Sequence, residues 1–178
     1  MAACNGGKNS DESNKKSTDS TQANSQTKNE TTKSTASVKG IIDGYLQLKN
    51  ALANDNGKDA ANAGKTIMEA VDKMDKSSLS AQQKKAFEDV ADDIKENAEH
   101  CSTNGNKIEH QREHFEMLSQ DMYDLVKAFG GGQTLYYDHC PMYNDKKGAN
   151  WISETKEIKN PYLGKKMPTC GSIKEELK

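Results

Sequence analysis

Between Val38 and Phe129 the apolar residues recur at helical spacing, in four runs separated by short polar breaks. The first run, Val38, Ile41, Ile42, Tyr45, Leu46, Leu48 and Leu52, traces one stripe and stops at the turn-forming cluster Asn54-Asp55-Asn56-Gly57. The second predicts a helix from about Lys58 to Lys76, with Ala60, Ala63, Ile67, Met68, Val71 and Met74 inward and Gly64 admitting a close neighbour. The third opens at Ser80, whose hydroxyl can cap the helix while Gln83 reaches back as the other half of a capping box. Its inner face is Phe87, Val90, Ala91, Ile94 and Ala98. Ser102 to Asn106 breaks the pattern, and Ile108, Phe115, Leu118, Met122, Leu125, Val126 and Phe129 then form the cleanest stripe, ended by Gly130-Gly131-Gly132. Four amphipathic helices joined by short polar turns predict an all-α fold, an antiparallel up-and-down four-helix bundle.

After the glycines the period is lost. Tyr136, Tyr137, Tyr143, Trp151, Ile158 and Tyr162 are spaced irregularly among Asn, Asp, Gly and Pro. Aromatic side chains argue for order, so residues 130–178 are expected to be an irregular C-terminal tail packed on the bundle, with a short strand around Leu135 to Tyr137.

The other end of the chain is polar. From Asn5 to Ser37 there is no Val, Ile, Leu, Met, Phe, Tyr or Trp, and such a segment cannot bury enough apolar surface to offset chain entropy. Residues 1–37 are therefore expected to be a disordered tether and residues 38–178 one folded domain. The low hydrophobic content, 33%, and mean hydropathy of -0.99 fit that division. Met1-Ala2-Ala3-Cys4 places small residues just before a cysteine and resembles the processing site of a bacterial lipoprotein, with lipid carried on Cys4 and the polar stalk holding the domain off the membrane. A net charge of -2 and lysines interleaved with acids give no electrostatic footprint for nucleic acid.

The candidate chemistry is sulfur. Cys140-Pro141-Met142 and Met167-Pro168-Thr169-Cys170 are near mirror images, and thiolate with thioether suits Cu(I) better than any hard cation. Each proline stiffens its loop and removes an amide donor. On the last predicted helix His110, His114 and Met117 lie at i, i+4 and i+7, one edge beside the hydrophobic stripe where the tail could dock and the histidines complete a site. His139 adjoins Cys140 and is a further candidate ligand, while His100 adjoins Cys101 at the end of the third helix, where a histidine is favoured by the helix dipole. With Zn(II) in place of copper, two thiolates and two histidines would give a closed tetrahedral site. Without any metal, a Cys140–Cys170 disulfide would pin the tail, a loop closure contributing about 3 to 4 kcal/mol, and the protein would be a structural or interaction module. Catalysis by Cys140 with His139 is disfavoured, because no orienting acid stands at a recognisable spacing.

Several strings are distinctive: His110-Gln111-Arg112-Glu113-His114-Phe115, Leu118-Ser119, Tyr136-Tyr137, Cys140-Pro141-Met142-Tyr143, Gly148-Ala149-Asn150-Trp151, Asn160-Pro161-Tyr162, Gly164 and Met167-Pro168-Thr169-Cys170-Gly171. From Val38 onward the chain resembles a helical domain-of-unknown-function family of Gram-negative envelope lipoproteins, also found attached to periplasmic adaptor subunits of copper and silver efflux pumps. The resemblance implies heavy-metal binding in the cell envelope rather than a reaction, with roles for Cys140, Met142, Met167, Cys170, His110 and His114, and efflux-pump components as partners. It departs at Leu163, where a second aromatic after Tyr162 would be expected.

Overall fold

Each of the first three polar breaks becomes a turn, and each apolar stripe a helix that packs on the next. A computed structural model describes residues 23–178, with side chains from Val38 onward. The helices are α1 (Ala23–Ala53), α2 (Gly57–Asp72), α3 (Ala81–Thr103) and α4 (Ile108–Phe129). They pack in chain order, and α4 closes back onto α1, as short connections between neighbours require. Their start signals are local. Asn56 caps α2 by accepting from the Asp59 amide. Ser80 and Gln83 form the expected reciprocal capping box on α3. The inward faces predicted from periodicity form the core: Ile41, Tyr45, Leu48, Leu52, Ile67, Phe87, Ile94, Phe115, Leu118, Met122 and Leu125 are all buried. At Gly64 a β-carbon would come within 2.6 Å of the Ala98 carbonyl, so α2 and α3 approach as closely as they do only because that position is glycine.

The expected lipid attachment at Cys4 and the polar segment up to residue 22 lie outside the described residues. The helical backbone of α1 begins at Ala23, within the stretch assigned to the tether.

The tail corrects the all-α expectation. It folds as a three-stranded antiparallel sheet, β1 (Leu135–Cys140), β2 (Ala149–Ser153) and β3 (Ser172–Leu177), in the order β2-β1-β3. The short strand foreseen at Leu135 to Tyr137 is the first half of β1. Alternation was invisible because β1 is the central strand and carries a bulge between Tyr137 and Asp138, which shifts the two-residue period midway. In addition, β3 is a mostly exposed, charged edge strand.

The sheet packs through β2 against α1 and α4, and two polar devices fix it there. The first is a relay across three elements. Ser119 donates to the Phe115 carbonyl at 2.7 Å, so the Tyr45 hydroxyl donates to Ser119 at 2.8 Å and accepts from the Ile152 amide at 3.0 Å. The second is Arg112, buried on α4. Its guanidinium reaches the Leu52 carbonyl at 3.1 Å and Asp55 at 2.6 Å in the α1–α2 turn, and the Pro161 carbonyl at 2.9 Å in the tail. Asp55 in turn accepts the Lys165 amide. A β-carbon on Gly164, which has φ 51°, would collide with the Asp55 carboxylate and with Arg112, so the clasp closes only over glycine.

Removing one partner of a buried, hydrogen-bonded charge pair costs about 3 to 5 kcal/mol. Arg112→Ala should therefore lower the unfolding free energy by about 3 to 5 kcal/mol, read from urea titration, and Arg112→Lys should recover little of it, since an ammonium cannot serve all the acceptors of a planar fork.

Candidate functional site

Antiparallel pairing of β1 with β3 returns the chain so that residues thirty apart in sequence meet. Cys140 ends β1 and Cys170 lies two residues before β3, and their sulfurs are 3.3 Å apart. Both are free thiols, Cys140 buried and Cys170 half-buried. The loop that presents Cys170 is ordered by buried Asn160. Its carboxamide oxygen accepts the Tyr162 and Leu163 amides, each at 2.8 Å, and its Nδ2 donates to the Cys170 carbonyl at 2.6 Å. The Asn160 amide also bonds the Pro168 carbonyl at 2.8 Å. Tyr162, buried between Phe115, Tyr143 and Trp151, donates its hydroxyl to the Asn150 carbonyl. Thus Asn160-Pro161-Tyr162 shapes the loop and anchors it to the bundle. Leu163, the departure noted above, packs partly buried against the core.

Burial pushes the Cys170 thiol above its ordinary range, and the hydrogen bond and charge of Cys140 add to this, while the Met142 amide works the other way. Met142 and Met167 are 45% and 43% exposed, which is not where core filler sits. His139, one residue before Cys140 on the strand, is turned aside by the strand's alternation and bonds Asn150 through Nδ1 at 2.9 Å.

His110 and His114 do not join the thiols. The edge of α4 that carries them faces α3, where the His114 Nδ1 meets Asn97 at 2.9 Å, while β2 packs on α1 and α4. There His100 completes a cluster: its ring stacks on His114 with centroids 4.0 Å apart, and His110 meets His114 edge-on at 4.6 Å. Ligand atoms of His100, His110 and His114 all lie within 4.8 Å of one another. Sequence reasoning assigned His100 only to the helix dipole. The signal it carried was topological, since a short turn between α3 and α4 sets the last turn of one beside the first turn of the other. Burial of the ring, and then the neighbouring His100 and His110, hold His114 below its ordinary pKa. Cys101, next to His100, is buried and its thiol is pushed up to about 12 by that burial, which makes it inert.

Two further ionisable groups are buried beneath the sheet. Asp138 is fully buried and neither carboxylate oxygen has a hydrogen-bond partner. Desolvation raises it to about 7 against the pull of Lys49. Lys49 is itself buried and is spent on Glu154 at 2.7 Å and Ser153 at 3.4 Å.

Fold and site define a helical bundle whose C-terminal sheet, docked on α1 and α4, carries two adjacent thiols, one at the end of β1 and one just before β3. The chain belongs to the family described as "Protein of unknown function (DUF3347)", whose model matches residues 41–134. That span takes in the bundle and its three clustered histidines and stops just before β1. No curated protein and no solved structure matches the chain.

The raised Asp138 carboxyl fixes the sign of one pH dependence. Above its unfolded pKa of about 4 the native state holds a proton that the unfolded state has lost, so this residue makes stability fall as pH rises toward about 7, by up to about 1.4 kcal/mol per pH unit. Urea midpoints measured between about pH 5 and pH 8 should therefore show a falling component in the wild type that is absent from Asp138→Asn.

Proposed function

We propose that this protein is a metal-binding module of the bacterial cell envelope, lipid-anchored through Cys4, that holds Cu(I) between Cys140 and Cys170 with Met142 and Met167 as thioether donors. The observation that carries this reading is the thiol contact together with the exposure of the neighbouring methionines. Two thiols meet at 3.3 Å, and the methionines that flank them in sequence stand nearly half exposed instead of filling the core. Soft donors at an accessible loop suit an ion that must enter and leave. Binding and hand-over, not catalysis, is the activity this supports, and an efflux-pump component is the partner class for the hand-over.

The thiol contact favours one other reading, a redox-closed pin. Oxidation of Cys140 and Cys170 to a disulfide would staple the tail to its own strand pair and would need no methionine at all.

Titration with Cu(I) under anaerobic, reducing conditions, against a competing chromogenic chelator, separates the two. One tightly held ion per chain is expected, lost in Cys140→Ser/Cys170→Ser and weakened about tenfold, about 1.4 kcal/mol, in Met142→Leu/Met167→Leu. Equal weak binding by wild type and the serine variant would reject the copper reading. An unusually stable disulfide in the air-oxidised protein would then support the pin.

A further inference from the structure

The histidine cluster is built by different elements from the thiol pair and has its own supporting shell. His100 comes from the last turn of α3, and His110 and His114 from the first two turns of α4. The backbone that carries them is tied by buried Gln111, whose carboxamide nitrogen donates to the Cys101 carbonyl at 2.8 Å and to the Gly57 carbonyl at 2.9 Å. That one side chain links the residue after His100, the residue after His110 and the start of α2. Three histidines are therefore set together on a pinned frame.

The hydrogen bonds also decide which nitrogens are available. Asn97, buried on α3, donates through Nδ2 to the Asp93 carbonyl at 2.9 Å, and a carbonyl can only accept. Its Oδ1 must then face His114, so the proton of that ring lies on Nδ1 and the Nε2 lone pair is free. His110 is arranged alike, its Nδ1 set against the Glu113 carboxylate at 3.1 Å. An imidazole that gives one N–H to an oxygen acceptor while the other nitrogen is left bare is the usual form of a metal-ligating histidine and its supporting partner. All three rings are half-buried, open enough for an ion to reach.

We propose that His100, His110 and His114 form a second site, independent of the thiol pair, that binds one borderline divalent transition-metal ion of the Zn(II) class through three imidazoles and keeps a fourth coordination position open. Imidazole suits Zn(II), Ni(II) and Cu(II) and not specifically the soft Cu(I) ion. Zinc–nitrogen bonds of about 2.0 Å in tetrahedral array put the nitrogens about 3.3 Å apart. Ligand nitrogens of the three rings lie within 4.8 Å of one another, and binding an ion would tilt His100 and His114 out of their parallel stack so that their lone pairs converge. An open fourth position is what a three-histidine site leaves for water or an exchanging ligand.

The proposal does not rest on the copper reading, and its test is made in the full-length chain carrying Cys140→Ser/Cys170→Ser, where the soft site is absent. Zn(II) is titrated calorimetrically, and Co(II) is used as a visible-absorption reporter of imidazole coordination. One ion per chain is expected, with affinity at least a hundredfold lower in His114→Ala and in His100→Ala. Asn97→Leu, which removes the partner of the His114 ring and no ligand, should weaken binding about tenfold to a hundredfold. Far-UV circular dichroism and the metal-free melting temperature show that each variant is folded. For Asn97, which is buried, His114→Gln provides a second reading at a more exposed position. Absence of stoichiometric Zn(II) or Co(II) binding, or binding that survives in the folded His100→Ala/His114→Ala variant, would overturn the proposal.

Discussion

A buried guanidinium ties the two halves of this molecule together. The bundle is closed by periodic apolar stripes; the tail adds Leu135, Trp151, Ile152 and Tyr162 to the same core, and a specific polar clasp fixes where it sits. Arg112 does this from the middle of α4. It reaches back to the α1–α2 turn at Leu52 and Asp55 and forward to Pro161 in the tail. A buried charge is costly unless its donors are matched, and here several backbone and carboxylate oxygens match them. The need for those acceptors in turn dictates the left-handed Asp55 and Gly164 that bring them near. Once the clasp is closed, Tyr162 lies in its aromatic pocket and Asn160 can order the loop that carries Cys170.

The helices were legible because each rests on local chemistry. Periodic apolar residues, the Ser80–Gln83 capping box and the polar breaks are statements about neighbours three or four positions apart. Of the sheet, only the strand at Leu135 to Tyr137 was legible, because the rest of its logic is non-local. The charged, mostly exposed residues of β3, Ser172 to Leu177, look like solvent-facing tail until β1 is known to lie beside them, and the bulge at Tyr137/Asp138 erases the alternation that would have announced β1. The buried pair Lys49 and Asp138 was hidden for the same reason: on a one-dimensional reading, Lys49 is the polar residue between Leu48 and a turn. Only when β1 and β2 come down over α1 does that lysine find itself enclosed with Asp138, Ser153 and Glu154.

The candidate ligands divide along the same line. Cys140 and Cys170, thirty residues apart and set in mirrored Pro-Met and Met-Pro motifs, lie with their sulfurs 3.3 Å apart. The histidines were grouped with them because the His110/His114 edge borders the hydrophobic stripe, and a border residue can face either neighbour. It faces α3. The tail takes the other side of α4, where Arg112 and Glu116 lie, with Tyr143 and Asn144 against them. One helix thus separates the soft sulfur donors from the borderline nitrogen donors.

That separation gives the two clusters different dependence on the rest of the fold. Contacts within the α3–α4 hairpin are close in sequence and close at small entropic cost. The thiol pair joins the end of β1 to the loop before β3, and that loop is anchored to α4 through Pro161 and Tyr162. An ion held by the histidines would therefore brace the hairpin. An ion or a bond between Cys140 and Cys170 would instead be coupled to tail docking, strengthening it and being strengthened by it in equal measure, as linkage requires. If the sulfur site exchanges its ligand with another molecule, the tail is the element whose docking that exchange would loosen or secure, and the bundle beneath it is the fixed support.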